Sequence, residues 1–321
     1  MKVWKRSLPV WLLTLVMLLT ACGTPSQPDQ PDGTETWREA YEETGAYLQA
    51  QTAPTVGSIG GEWAVIGLSR ARLLSDETAQ SYEQTVEDYV KQAGSVRLHH
   101  AKSTENSRTI LGLTAAGYNA ANVAGVDLTA GLTDMAYLRA QGTNGPIWAL
   151  IALDCHGYDI PQCADGEEQT TREGLVAEIL SYQCSDGGWA LMGDESDVDM
   201  TAMALTSLAP YQEETDVKAA VDTALTYLSD AQQADGGFMS WGAANSESCA
   251  QVIVALTALG IDSAADSRFV KNGASPLDGL CAFACEGGGF RHSDEVWLPS
   301  RASTHWPPAT ASGRARHACS T

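Results

Sequence analysis

The chain has 321 residues, of which 44% are hydrophobic, so it is long and apolar enough to bury a sizeable core and is not a disordered protein. Of its 19 Lys and Arg residues, six lie in residues 1–21 and 296–321, which contain no acid, so residues 22–295 hold 13 bases against 40 acids. Such an anionic body repels the phosphates of nucleic acid, and we therefore expect no nucleic-acid partner.

Residues 1–21 have the composition of an export signal. Three basic residues precede an apolar run over residues 8–19, which is too short to span a membrane as a helix. The run ends in Leu-Thr-Ala-Cys, which resembles the lipobox of bacterial lipoproteins and implies that Cys22 is lipidated as the mature N-terminus. An ordinary cleavage site that contains a cysteine by chance is the alternative. Residues 22–35 are then a disordered tether, and we expect the protein on the outer face of a bacterial cytoplasmic membrane or on the cell surface.

Helical patterns alternate in pairs along residues 36–296. In each pair the first helix is longer and more charged, whereas the second is short and rich in Ala, Gly, Leu and Thr. Helices that are apolar on all sides must be buried, and amphipathic helices can form a shell around them. This alternation predicts an all-α fold, an α/α toroid of about six helical hairpins, with no convincing strands. The predicted helices cover residues 36–50, 64–71, 78–93, 104–117, 128–140, 144–154, 173–183, 197–211, 217–231, 246–260 and 276–284.

A turn of glycines and an aromatic residue recurs three times, in residues 183–189, 232–238 and 286–292. The Gly-Gly pairs begin at positions 187, 236 and 288, and such a regular spacing is typical of repeat architectures. A Gln at the end of an outer helix can hydrogen-bond unpaired carbonyl groups, the glycines permit a tight turn, and the aromatic ring packs across the Gln. The turns are therefore predicted to be structural.

The second copy, Tyr227-Leu-Ser-Asp-Ala-Gln-Gln-Ala-Asp-Gly-Gly-Phe238, resembles the QW repeat of squalene–hopene cyclases and protein prenyltransferases. The first copy matches the same pattern without its leading aromatic residue. The resemblance extends over roughly residues 60–292 and implies the α/α toroid of the terpenoid cyclase and prenyltransferase superfamily. Because these repeats are structural, they imply the fold and say little about activity.

The sixth helix pair is incomplete in the sequence. By the pattern an apolar inner helix should follow the third turn, but residues 297–321 contain three prolines, no acid and no helical period. The balance of charge changes sign at Val296. We interpret this basic tail as a frameshifted or otherwise foreign sequence. A genuine flexible tail is the alternative, but it does not account for the missing helix.

The fourth inner helix opens with Asp197-Val-Asp-Met-Thr-Ala202, which resembles the Asp-x-Asp-Asp-Thr-Ala motif of squalene–hopene cyclases. In that family the middle aspartic acid protonates an alkene, so the resemblance implies Asp199 as the catalytic acid and Asp197 as its neighbour. The next aspartate of the motif is Met200 here, and a thioether cannot polarise the acid as a carboxyl group does. The structural alternative is a capping-box-like arrangement, with Ser196 as the N-cap and Asp199 three positions on.

Acidic residues recur at the heads of other inner helices. Aligning these helices places Glu247 opposite Asp199, and Glu105 falls near the equivalent place in the second pair. Because the inner helices of a toroid begin at one mouth, the three acids are predicted to rim a central cavity that binds a ligand. The aromatic residues predicted to line this cavity come from the preceding turns: Trp189, Phe238 and Trp241.

The toroid is more distantly similar to that of the exported cobalamin carriers, which bind their ligand without chemistry. Those proteins close over the corrinoid with a β domain that this sequence does not encode, so we expect no cofactor. Cys155 and Cys163 are predicted to form a loop disulfide, as is common in exported chains. Asp154 and His156 make a zinc site the alternative, but Cys-x-x-Cys pairs and the prenyltransferase Asp-x-Cys spacing are absent, so no metal is predicted.

These features predict an exported, lipid-anchored protein that binds a small-molecule or protein ligand in a central cavity without catalysis. A class II terpenoid cyclase with Asp199 as the general acid is the alternative function. Met200 in the acid motif and export away from the cytoplasm, where isoprenoid substrates are made, argue against it. A purely structural module of the cell envelope is the third function considered.

Overall fold

The computed structural model describes residues 33–50, 54–57 and 59–293. The predicted all-α class is confirmed, because these residues form eleven α-helices and little sheet. The predicted signal, Cys22, most of the tether and the tail over residues 297–321 lie outside the described residues. The helices are α1 (Gly33–Gln49), α2 (Ile59–Arg70), α3 (Asp76–Ala93), α4 (Thr104–Ala115), α5 (Met135–Arg139), α6 (Asn144–Asp154), α7 (Arg172–Ser181), α8 (Val198–Leu208), α9 (Thr215–Ala231), α10 (Ser246–Ala258) and α11 (Pro276–Cys281).

Three short elements accompany these helices. Two 3₁₀ helices cover Leu128–Leu132 and Ala209–Tyr211, and a small antiparallel hairpin pairs β1 (Met239–Ser240) with β2 (Ala243–Ala244). No described helix has both the length and the apolar character needed to cross a membrane.

The single helix predicted over residues 128–140 is wrong, since the structure divides it into a 3₁₀ helix and α5. Asp134 lies at the break, and Asp127 fixes where the first piece begins. Asp127 caps the first piece by accepting from the Thr129 amide at 2.9 Å, and Asp134 caps α5 by accepting from the Ala136 amide at 3.1 Å. Short polar side chains that bond to nearby amides compete with a continuous helix.

The even-numbered helices α2, α4, α6, α8 and α10 are the apolar members of the pairs and pack on one another in succession. Helix α6 illustrates their character, because Ile147, Leu150 and Leu153 are all fully buried. The outer helix α3 instead buries one stripe of side chains, including Val86 and Val90, and exposes the remainder. This division follows the sequence, in which one helix of each pair is apolar and the other amphipathic.

The Gln of the first two turns hydrogen-bonds both its own turn and a segment further along the chain. Gln183 Nε2 donates to the carbonyl oxygens of Gly187 at 2.8 Å and of Ala220 in α9 at 2.9 Å. Gln232 Nε2 donates equivalently to the carbonyl oxygen of Gly236 at 3.1 Å and to that of Phe269 at 2.9 Å. In both copies the distant carbonyl lies 37 residues after the Gln.

Each of the three turns also lies close to a distant segment of the chain. A Cβ placed on Gly187 would meet Thr223 of α9, and one on Gly236 would meet the carbonyl group of Ser275, just before α11. The equivalent Gly288 has its backbone against the carbonyl group of Glu43 in α1. Helix α11 packs on α1 as well, so the last described turn and helix contact the first described helix.

Candidate functional site

The head of α8 is organised by Asp197. Its Oδ1 accepts from the amides of Asp199 at 3.0 Å and Met200 at 3.1 Å, and its Oδ2 accepts from Ser240 Oγ at 2.5 Å. The predicted N-cap Ser196 is therefore wrong by one residue, because its hydroxyl donates to Asp186 instead. A carboxylate that accepts three hydrogen bonds acts as a helix cap and is not free to transfer a proton.

Asp199 lies in a different environment, two residues further along. Its side chain is partly buried, and Oδ1 has no hydrogen-bond partner within the described part of the chain. Burial raises the pKa of this carboxyl above its usual range, and the charges of Asp197 and Glu247 act in the same direction. The hydroxyls of Ser248 and Ser240 oppose the shift. Asp199 therefore keeps its proton to a higher pH than an ordinary aspartate.

Met200, at the position of the next aspartate in the cyclase motif, is a core residue that is 6% exposed. Its side chain packs with the apolar residues between the helices and does not join the acids at the head of α8. The sequence identified this departure from the motif, and the structure gives it a packing role.

The head of α10 carries the second predicted rim acid. Asn245 caps this helix by accepting from the Ser248 amide at 2.8 Å. Glu247 is exposed, and its Oε2 accepts from Ser246 Oγ at 3.1 Å and lies 2.9 Å from His292 Nδ1. The His292 carbonyl in turn accepts from the Ser246 amide at 3.1 Å, which brings the third turn to the head of α10.

Glu105 is not a free rim acid. Its Oε2 accepts from Arg108 Nη2 at 2.6 Å, and Arg108 Nε donates to Glu62 Oε2 at 3.2 Å. Glu62 is fully buried, and its Oε1 also accepts from the Gly57 amide at 2.7 Å. Glu62 and Arg108 were not predicted from the sequence as site residues. Their positions at the heads of α2 and α4 are the signal that could have indicated them, since Glu62 and Glu105 head successive inner helices.

The three aromatic residues predicted to line a cavity have other environments. Trp189 and Phe238 are fully buried in the core, and Trp189 Nε1 donates to the Ile179 carbonyl at 2.7 Å. Trp241 is 87% exposed and sits at the turn of the β1–β2 hairpin with φ of 52°. A different aromatic pair is formed by Trp63 in α2 and Trp148 in α6, whose ring centroids lie 5.2 Å apart.

An apolar hollow, here called the α2–α10 groove, lies between α1, α2, α10 and α11. It consists of two compartments of about 260 and 220 Å³ that share Thr44, Leu48, Leu280 and Phe290. Helix α2 contributes one face, and Glu247 of α10 lies at one end. The remaining lining residues are Trp37, Tyr41, Gly45, Trp63, Ala64, Gly67, Leu68, Ala71, Ser246, Ala250, Leu277, Cys281 and Gly289.

The disulfide predicted between Cys155 and Cys163 is not formed, because both are free thiols. Each sulfur instead faces a carbonyl of its own segment. Cys155 Sγ lies 3.1 Å from the Ala152 carbonyl oxygen at the end of α6, and Cys163 Sγ lies 3.6 Å from that of Glu167. Across the described ranges, no group of three or more His, Cys, Asp and Glu side chains is arranged to hold a metal ion.

No model of a known protein family matches the chain, and a search of curated proteins finds no match. The resemblance to terpenoid cyclases and prenyltransferases therefore stays a prediction that rests on the repeats and on the acid motif.

Proposed function

We propose that the chain is an α/α toroid of six helical hairpins that binds a ligand or partner in its interior without catalysis. Two sets of contacts support this architecture. The even-numbered helices from α2 to α10 pack in succession, as the inner helices of a toroid do. Helix α11 packs on α1, as neighbouring helices of a closed outer layer do. In this arrangement the α2–α10 groove is the place of the sixth inner helix.

The observation that carries the binding function is the groove. Small-molecule sites are concave and mostly apolar, with a few polar groups that fix orientation, and they commonly measure about 300–1,000 Å³. The two adjoining compartments of about 260 and 220 Å³ have this character, and the carboxylate of Glu247 supplies a polar group at one end. A ligand with an apolar body and a cationic or hydrogen-bond-donating end fits this combination.

The acids of α8 favour binding over alkene protonation. An acid strong enough to protonate an alkene needs neighbours that hold and polarise its proton. Asp197 is occupied as the helix cap, and Met200 is buried where the motif has another aspartate. Asp199 therefore has a raised pKa but lacks the acidic neighbours of the cyclase motif.

Titration with the neutral dye Nile red, which fluoresces in apolar sites, tests the binding function. We expect saturable binding to the full chain, weakened about tenfold or more by Gly67→Leu, which puts a side chain into the groove. Ala219→Leu on the exposed face of α9 is the matched control and should leave binding unchanged. Absence of saturable binding would contradict the proposal and favour a structural module of the cell envelope. If binding is saturable, native mass spectrometry of protein purified from its host would identify a resident ligand.

A class II terpenoid cyclase is the second candidate, and the raised pKa and unpartnered Oδ1 of Asp199 favour it. Incubation with squalene or a prenyl diphosphate distinguishes the two functions. The binding proposal predicts no cyclised product from the full chain. Product that forms with the natural chain and disappears with Asp199→Asn would establish the enzyme instead.

We also propose that the protein is exported and held on a membrane through lipid on Cys22. The support is the sequence of residues 1–22 alone. Metabolic labelling with a fatty-acid analogue should mark the natural chain, and Cys22→Ser should abolish both the label and membrane retention. A Cys22→Ser chain that retains the label would contradict lipidation at this cysteine.

A further inference from the structure

We propose that the α2–α10 groove is a docking site for an α-helix of a partner chain, which takes the position of a sixth inner helix. The inference rests on the proposed function and specifies its ligand. Four helices enclose the groove, namely α1, α2, α10 and α11.

The described inner helices follow a common packing rule. Helix α6 packs on α4 and α8 in the inner layer and on the next outer helix, α7. Helix α8 likewise packs on α6, α10 and the next outer helix, α9. An inner helix placed after α11 would by the same rule contact α10 and α2 in the inner layer and the next outer helix, α1. It would also contact the preceding outer helix, α11, as α2, α4 and α6 contact α1, α3 and α5. These are the four elements that line the groove, so the groove continues an interface that the chain already uses between its own helices.

The α2 face of the groove suits a helix more closely than a compact small molecule. Ala64, Gly67, Leu68 and Ala71 follow one another at the spacing of a single helix face, and three of them are small. Small side chains let the backbone of a packed helix approach closely. A Cβ on Gly67 would meet only Leu48 Cδ1, at 3.9 Å, so this face has room that the other inner helices fill with packed neighbours.

The polarity of the groove sets the direction of the incoming helix. The heads of α8 and α10 lie together, because Ser240 bonds Asp197 and because the charge of Glu247 acts on Asp199. The inner helices therefore run parallel, and Glu247 marks the end of the groove at which an inner helix begins. The positive end of a helix dipole beside this exposed carboxylate is favourable. The fitting partner is thus an apolar helix of 11 to 13 residues, the lengths of α4, α6, α8 and α10, with its N-terminus at Glu247.

Among its described helices, a second copy of the chain offers none that is free to dock. Its own apolar helices, such as α6 and α8, are buried in its core and would have to leave it. The amphipathic outer helices are exposed but carry charge on the face opposite their core stripe, as α3 and α9 do. Because every described helix is already packed in its own chain, we assign the docking helix to another protein.

The probe is a labelled peptide with the sequence of residues 245–259, which is α10 with its cap, carrying Cys249→Ser. It is titrated into the full chain by fluorescence anisotropy, beside a peptide of the amphipathic outer helix, residues 215–231. We expect the α10 peptide to bind about tenfold more tightly or better, to displace Nile red, and to lose about tenfold in affinity with Gly67→Leu but not with Ala219→Leu.

Three results would overturn the inference. Nile red that binds and responds to Gly67→Leu, while neither peptide competes, would make the ligand a small molecule and leave the proposed function intact. Failure of both dye and peptide would reject the proposed function as well. A lower melting temperature of Gly67→Leu without any peptide would mean that the groove is already filled, and sedimentation equilibrium would then distinguish a second copy from the chain's own residues 294–321.

Discussion

At the scale of single residues, Asp197 and Asp199 show how two aspartates two positions apart acquire different chemistry. Asp197 has extended backbone angles, φ −123° and ψ 143°, which direct its carboxylate back onto the first amides of α8. Asp199 is already inside the helix, and one oxygen of its partly buried carboxyl group has no hydrogen-bond partner among the described residues. The sequence identified the pair and its resemblance to an acid motif. It could not assign the cap, because Ser, Asp and Asn all suit an N-cap and backbone angles decide among adjacent candidates.

Replacing Asp199 with Asn is expected to stabilise the chain more at pH 7 than at pH 4. Burial raises the pKa of Asp199 in the folded state, so stability falls as pH rises from the unfolded value of about 3.9 through the raised folded value. The neutral amide removes that loss. Thermal melts of the natural chain and Asp199→Asn at both pH values measure the difference.

Asp266→Asn is the control, because the pKa of Asp266 is shifted in the opposite direction to that of Asp199. Hydrogen bonds from Arg268 lower the pKa of Asp266 to about 2, so its stabilisation is present above the unfolded pKa and is lost as pH falls toward 2. This variant should lose stability at pH 7 relative to the natural chain. Equal responses of the two variants to pH would contradict the environment assigned to Asp199.

Two glycines of inner helices should respond to Ala in opposite directions. Gly67 faces the groove, so Gly67→Ala is expected to stabilise the chain by about 0.5–1 kcal/mol through its effect on helix propensity. A Cβ on Gly112 in α4 would collide with the Tyr82 hydroxyl, so Gly112→Ala is expected to destabilise by about 1–3 kcal/mol. Chemical denaturation measures both changes. A destabilising Gly67→Ala would show that the groove is filled.

At the scale of elements, the recurring turn is the feature that the sequence predicted best. The role of the Gln as a hydrogen-bond donor to backbone carbonyls, the tight glycine turn and the packed aromatic ring are all present in the structure. The distant partner was not predicted. The carbonyl group of Ala220 belongs to α9 and that of Phe269 to the loop between α10 and α11, and a local pattern contains no information on which distant carbonyl lies within reach of the Gln.

Gln232→Ala should destabilise the chain, because it leaves the carbonyl groups of Gly236 and Phe269 without their donor. The side chain is only 7% exposed, and a buried polar group that loses its partner costs about 1–3 kcal/mol. Gln233→Ala is the matched control, because the adjacent Gln233 is exposed and bonds only the nearby Ala231 carbonyl. Its effect should stay within about 0.5 kcal/mol. Similar urea midpoints for the two variants would contradict the role of Gln232.

At the scale of the whole molecule, the repeats predicted the helix class but not the candidate site. The alternation of apolar and amphipathic segments was sufficient to predict the helical class, because each helix shows its own hydrophobic period in the sequence. The groove is enclosed by residues as far apart as Thr44 and Phe290, and such a hollow depends on packing that no single segment records. The cavity predicted from Trp189 and Phe238 illustrates the same limit, because both rings turn into the core.

The central claim is that the last described turn lies against the first described helix, so that the hairpins form a ring. Gly287 and Gly288 allow a direct thermodynamic test, because both have positive φ, of 85° and 100°. A Cβ on Gly287 would have no neighbour within 4 Å among the described atoms, whereas one on Gly288 would collide with the Glu43 carbonyl group of α1. Either alanine should cost about 1–2 kcal/mol from the backbone conformation alone.

The measurement is the free energy of unfolding of Gly287→Ala and Gly288→Ala by chemical denaturation. If α1 lies against the third turn, Gly288→Ala should cost about 1–3 kcal/mol more than Gly287→Ala, since overpacking adds to the strain. Equal losses for the two variants would mean that nothing lies against Gly288, and would contradict closure of the ring.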